Sequence, residues 1–294
     1  MTISFGIKTT QVNTSYQELV DVWRDADAIE AFESAWVWDH LVPMRGDVTA
    51  PALEAWTLLS ALAAVTQRLK LGVIVSSNRI RPPAVLAKMA ATVDQISGGR
   101  LIFGIGAGYA RSADPGLTAI AEREYGAYGI DVVGVREAID ALGEALTITR
   151  RLWTARTPFD FEGAHYRLVG AICEPKPVAE VPILIGAGGE RRSLRLVAEH
   201  ADIWNCPTRG DVDSYVHKSR VLDEHCAAIG RDPAEIARQV QLLVSSDPAE
   251  ATAIREQIRQ LADAGATQIV LAPLPPWPDR IAARLAENVI APLA

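Results

Sequence analysis

The chain has little cysteine and no excess of basic charge. Cys173, Cys206 and Cys226 are its only cysteines in 294 residues. No two of them form a C-x-x-C pair, which excludes a zinc ribbon and a redox dithiol, and so sparse and odd a set fits a reducing cytoplasm. Lys and Arg number 29 against 36 Asp and Glu, a formal net charge of −7. A duplex-binding surface needs the opposite sign, so nucleic acid is excluded as a partner. The most apolar segment, Leu58 to Val65, is far short of the ~20 residues that cross a bilayer, so no membrane partner is expected. Met1 to Thr10 has no basic stretch followed by a long apolar one, and a signal peptide is not expected. His217 and His225 are not one helical turn apart, so no metal site is expected. There is also no G-x-S-x-G elbow.

What the chain does contain is a recurring pair: a short apolar or β-branched run, then a longer amphipathic one. Ile3–Ile7 precedes Ser15–Phe32, Ala35–Asp39 precedes Ala50–Thr66, and Leu71–Val75 precedes Pro83–Ser97. Leu101–Gly104 is followed, after a broken stretch, by Arg136–Trp153. Phe159–Leu168 reads as a small inserted hairpin. Then come Pro182–Ile185 with Arg191–Glu199, Asp202–Asn205 with Val212–Ile229, Gln239–Val244 with Pro248–Ala264, and Thr267–Leu271 with Pro278–Asn288. Eight ordered strand–helix units predict an α/β fold of the (β/α)8 TIM-barrel type, one domain over residues 1–294 with extended strand-end loops. A doubly wound sheet is the alternative. The stretch Ala110 to Ile120 reads as too broken by Asp114-Pro115-Gly116 to start a helix cleanly.

Barrel active sites lie at the carboxyl ends of the strands, which selects the residues to weigh. Strand two ends in Asp39-His40, a carboxylate and an imidazole suited to binding a polar ring and moving a proton; the bland alternative is a turn cap beside a solvated histidine. Strand three runs into Ser76-Ser77-Asn78-Arg79-Ile80-Arg81, a set of donors or simply a polar cap on the next helix. Strand four ends in Gly106-Ala107-Gly108-Tyr109. Tyr109 stands where a dinucleotide turn needs glycine, leaving either close backbone approach to a flat ligand or tight strand packing. Strand five ends in Gly186-Ala187-Gly188-Gly189, followed by Glu190-Arg191-Arg192. A glycine-rich loop entering a helix N-terminus is an anion site. Arginines in that first turn oppose the helix dipole unless an anion, or acidic neighbours such as Glu190 and Glu199, compensates them. Arg79, Arg81, Arg191, Arg192 and Arg195 all fall near predicted strand ends, so an acidic body with a small basic mouth is expected.

The ordered set Glu33–His40, Leu53–Thr57, Pro83–Lys88, Gly98–Leu101, Gly104–Gly108, Pro182–Gly186, Ala201–Asn205 and Gly230–Pro233 resembles the luciferase-like monooxygenase superfamily, in its coenzyme F420-dependent oxidoreductase branch of actinobacteria. The resemblance covers nearly the whole chain and implies a deazaflavin across the barrel mouth. Asp39 would position the ring or tune His40, and His40 would exchange a proton. A non-prolyl cis peptide is implied at Ile74–Val75. Ile74, Val75, Ser76, Gly106, Ala107, Gly108 and Tyr109 would contact the cofactor, and Gly186, Ala187, Gly188, Gly189 and Arg191 would take its phosphate. A small organic substrate is implied, with Met44, Tyr109, Trp204 and Trp277 as walls of its pocket. A homodimer is implied as well.

Two departures stand out. Sugar-phosphate dehydrogenases of that branch carry an acidic residue where this chain has Tyr109, and relatives tend to have Glu-His where it has Glu124-Tyr125. FMN in place of F420 is the alternative within the superfamily. Outside it stand a phosphate-binding lyase or isomerase using Lys8 as base, and a non-catalytic flavin binder.

Overall fold

The computed structural model describes residues 3–293 apart from Ser246. Its elements in chain order are β1 (Ser4–Lys8), α1 (Tyr16–Ala28), β2 (Ser34–Val37), α2 (Ala55–Val65), β3 (Lys70–Val73), β4 (Ser76–Ser77), α3 (Pro83–Ser97), β5 (Leu101–Gly106), α4 (Pro115–Ala127) and α5 (Val135–Thr154). There follow β6 (Phe159–Glu162), β7 (Arg167–Ala171), β8 (Ile183–Gly186), α6 (Ser193–His200), β9 (Ile203–Cys206), α7 (Val212–Ala228), β10 (Ala237–Val244), α8 (Ala251–Asp263), β11 (Gln268–Pro273) and α9 (Ile281–Leu285).

The parallel strands close into a ring. β1 pairs with β2 on one side and β11 on the other, with Gly6 opposite Ser34 and Ser4 opposite Gln268. From β2 the order runs through β3, β5, β8, β9 and β10 back to β11. β3 and β4 are one barrel strand interrupted at Ile74–Val75, both halves pairing with β5. The strand therefore breaks earlier than its apolar run suggests, and the Ile74–Val75 bond is cis, at the expected place. The sequence-based expectation of a (β/α)8 barrel with one inserted hairpin holds. The hairpin is β6 and β7, antiparallel, with Phe161 opposite Leu168.

Two apolar layers make the core. Trp36, Ile74, Ile102, Leu184, Ile203 and Val270 fill the barrel interior, as layered inward side chains should. Outside, residues such as Leu19, Trp23, Leu59, Leu62, Leu142 and Leu146 cement helices to strands. Phe159, Phe161 and Leu168 seat the hairpin against Ala87 and Ala91 of α3 and Ile148 and Leu152 of α5.

One sequence-based expectation fails. The stretch around Asp114-Pro115-Gly116 starts α4 instead of breaking it. Asp114 is the N-cap, its carboxylate accepting the Gly116 N–H at 2.8 Å, and Pro115 takes the first helical position. Proline is tolerated there because its missing N–H would have no intrahelical partner anyway.

Candidate active site

A cavity of about 610 Å³ opens at the carboxyl ends of the strands. Asp39, His40, Ile74, Val75, Ser76, the stretch Gly106 to Tyr109 and the stretch Gly186 to Gly189 all line it. Of the residues expected to act in catalysis or to bind the cofactor, Arg191 alone is not in its wall; it is exposed beyond the loop.

His40 lies over Trp38 in a T-shaped arrangement, ring centroids 4.7 Å apart, with Tyr109 5.5 Å away. Its Nδ1 meets Glu124 Oε2 at 2.9 Å. A carboxylate only accepts, so Nδ1 carries the hydrogen and Nε2 is the nitrogen left to take or give a proton. Glu124 also accepts the Leu41 N–H at 2.6 Å and is 2% exposed. From sequence, Glu124 stands out only as half of the Glu124-Tyr125 departure and receives no role, because nothing local ties its helix to His40. The N-cap and first-turn proline were the signal that would have found the helix.

Asp39 does not reach His40 by hydrogen bond. Its oxygens take the Arg81 guanidinium in bidentate fashion at 2.8 and 3.0 Å, and Oδ2 also accepts the Ser77 N–H at 3.0 Å. The same guanidinium bonds Glu54, which caps α2 through the Trp56 and Thr57 N–H groups. Burial pushes the Asp39 carboxyl upward, against the pull of Arg81 and the Ser77 N–H. Three donors converging on two oxygens favour its charged form against that burial. Arg81 is thus consumed inside the structure and adds no free charge to the mouth.

α4 braces the cavity a second time. Tyr125 OH shares a 2.8 Å hydrogen bond with Ser77 Oγ and accepts the Tyr109 N–H at 3.0 Å. Tyr109 OH points to Met44 Sδ at 3.2 Å. Burial raises both phenols above their usual value, so they act as neutral hydroxyls.

The two glycine motifs have a packing reason beside their place in the wall. A Cβ at Gly106 would stand 2.9 Å from Val75 Cγ2, and one at Gly186 would stand 2.9 Å from Val75 Cγ1. Val75 is therefore received between two glycines of neighbouring strands, and its side chain forms part of the cavity floor. Ser76 turns its hydroxyl away, accepting from Trp56 Nε1 at 3.0 Å.

The expected basic mouth is partly neutralised. Arg192 pairs with Asp140 at 2.9 Å and Arg195 with Glu199 at 2.7 Å, so protein carboxylates answer the helix-dipole conflict at these positions. The helix itself, α6, starts at Ser193, later than the expected Arg191. Trp204 is fully buried, its N–H on Ala187 O, and Trp277 bonds Pro273 O; neither lines this cavity or the one that adjoins it, which corrects their expected role as pocket walls. Met44 and Tyr109 do line the large cavity.

Residues 1–288 match the family described as luciferase-like monooxygenase. The chain belongs to that family. It is 33% identical over 252 residues to the F420-dependent glucose-6-phosphate dehydrogenase of Nocardia farcinica, covering 83% of this chain and 69% of the relative. It is 32% identical over 250 residues to F420-dependent glucose-6-phosphate dehydrogenase 1 of Rhodococcus jostii, covering 84% and 70%. Among solved structures, an F420-dependent secondary alcohol dehydrogenase in complex with an F420–acetone adduct superposes with a TM-score of 0.84 at 19% identity, over 98% of each chain. The coenzyme F420-dependent tetrahydromethanopterin reductase of Methanopyrus kandleri gives 0.79 at 18%, over the full length of both. These structures share the barrel. Among the described residues, no helix of this member of the family is long and apolar enough to cross a membrane.

Proposed function

We propose that this family member is an F420-dependent oxidoreductase that moves a hydride between the deazaflavin and a small organic substrate. The observation that carries the reading is His40 on the wall of the large strand-end cavity, its Nδ1 held from behind by the buried Glu124. The name shared by the relatives supports the cofactor. The residues present fit it: the cavity has room for a flat multi-ring ligand, Gly106 and Gly186 keep side chains out of one wall, and the positive φ of Gly108 (81°) holds the next turn in a form disfavoured for other residues.

Val75, Ala107 and Tyr109 would flank the ring, and the Gly186–Gly189 turn, through the N–H groups of Gly188 and Gly189 with Ser193 and Arg191 beyond, would face the phosphate; the Ala187 N–H is already given to Asn205 O. When bound, the cofactor supplies the hydride donor or acceptor. The chain's own share is placement and proton traffic. Glu124 fixes the His40 tautomer, and His40 Nε2 exchanges the proton that accompanies hydride transfer. Asp39, locked by Arg81, holds Ser77 and through it Tyr125 and Tyr109. The protein would work as a cytoplasmic homodimer of single-barrel chains, which sedimentation of the purified protein checks.

The deciding experiment is titration with F420 and with FMN, followed by quenching of tryptophan fluorescence. Tighter binding of F420 is expected. Tighter binding of FMN would replace the reading with a monooxygenase.

A further inference from the structure

A second chamber of about 560 Å³ adjoins the first, and Lys8, Trp38, Met44 and Pro207 line both. Lys8 ends β1 deep in this chamber. Its ammonium donates to Gln241 Oε1 at 2.8 Å and lies 5.9 Å from the centre of the Trp38 ring. Arg45 and Arg209 stand exposed at the chamber's rim. Among the described residues none of these three cations has an ion-pair partner, and no carboxylate lines the chamber.

The neutral polar groups of the chamber are already engaged. Gln241 accepts from Lys8 and donates to Asn205 at 2.8 Å, and Thr9 Oγ1 accepts from Trp23 Nε1 at 2.9 Å. The buried Trp38 indole N–H has no acceptor among the described residues. Asn13 is exposed at the edge. Much of the rest is apolar: Pro43, Leu243, Ala272, Pro273 and Leu274.

Among the side chains of the interior the chamber therefore offers donors and positive charge but few free acceptors. A polyhydroxylated ligand brings hydroxyl hydrogens that need acceptors, and burying them unmet costs free energy. A carboxylate only accepts, and an apolar body suits the remaining wall.

Resting on the oxidoreductase reading above, we propose that the substrate is a carboxylate with an apolar body, its anionic end held by Lys8 and its entry flanked by Arg45 and Arg209. The charge on Lys8 is costly when the chamber holds no anion. Burial, and secondarily Arg209, push its pKa down to about 8. An anion beside it reverses that cost.

The probe is hexanoate, with hexanamide as its neutral counterpart and glucose 6-phosphate as the polyhydroxylated anion. Binding is measured by calorimetry at pH 7 on the purified chain. Hexanoate is expected to bind at least tenfold tighter than hexanamide and tighter than glucose 6-phosphate. Lys8→Met is expected to erase the preference for acid over amide, and Lys8→Arg to keep part of it. Equal affinity for acid and amide, an unchanged preference in Lys8→Met, or tighter binding of glucose 6-phosphate overturns the proposal. An F420 titration of the same protein separates the two claims. If F420 fails to bind while hexanoate outbinds hexanamide, the oxidoreductase reading falls and the anion site stands. If F420 binds and the acid is not preferred, the anion site falls alone.

Discussion

The imidazole of His40 has one nitrogen committed to Glu124, and the proposed proton exchange falls to the other, which makes their separate removal informative. His40→Ala should lower kcat by about 10²–10⁴-fold, the usual range for general acid–base assistance, while F420 affinity measured by fluorescence changes only a few-fold. Unchanged turnover would take His40 out of the mechanism. Glu124→Gln keeps the shape but no longer obliges Nδ1 to carry the hydrogen; a kcat loss smaller than that of His40→Ala, with KM little changed, is expected from steady-state kinetics. Lys8 adds a pH effect whose sign is fixed. Its folded pKa of about 8 lies below the model-peptide value of 10.5, so between these limits the unfolded chain binds more protons and stability rises with pH. Below about 8 the native state bears the full cost of the buried cation. Lys8→Met should therefore stabilise the protein by roughly 2 kcal/mol at pH 7, part of the gain being lost with the bond to Gln241, and the gain should shrink towards pH 10.5. Urea unfolding at pH 7 and pH 10 checks both the size and the trend.

At the scale of elements, α4 and the glycine-bearing strands carry the site. Asp114→Ala removes the side-chain cap of α4 and should cost about 1 kcal/mol, read as lost hydrogen-exchange protection at Gly116 and Leu117. Loss of protection spread evenly over the barrel would contradict a local cap. Gly106→Ala places a methyl group against Val75 and should cost about 1–3 kcal/mol. Val75→Ala in the same chain should return part of that loss, a coupling that a double-mutant cycle measures. These elements also show where sequence reading stopped. Local pattern carries strands and helices well, and Asp114-Pro115 was legible as a helix start under the same capping rules. The bond from Glu124 to His40 crosses 84 positions, and no local pattern encodes it. The fit of Val75 between Gly106 and Gly186 joins three separate strands and was equally out of reach, although both glycines were visible.

For the whole molecule, eight strand–helix units in order were enough to give a barrel, since that architecture repeats one local unit and its strand ends gather at one mouth. Charge was less legible. A net −7 with arginines near strand ends suggested a basic rim, but Arg81, Arg192 and Arg195 are bound to carboxylates. The positive charge facing the second chamber instead comes from Lys8, Arg45 and Arg209. These lie on β1 and on the loops after β2 and β9, so only closure of the barrel brings them together. That placement sets how the proposed carboxylate site should respond to salt. Screening acts on exposed charges, with a Debye length falling from about 10 Å at 0.1 M to about 3 Å at 1 M. Arg45 and Arg209 are exposed and their pull on a carboxylate should fade over this range, as should the long-range repulsion from the acidic body. Lys8 sits deep in the chamber, where added salt screens little. Hexanoate affinity should therefore fall by less than about threefold between 0.1 and 1 M sodium chloride, with nearly all of the salt-sensitive part gone in Arg45→Gln/Arg209→Gln. A tenfold or greater loss, measured by calorimetry, would move the anchoring charge from Lys8 to the rim.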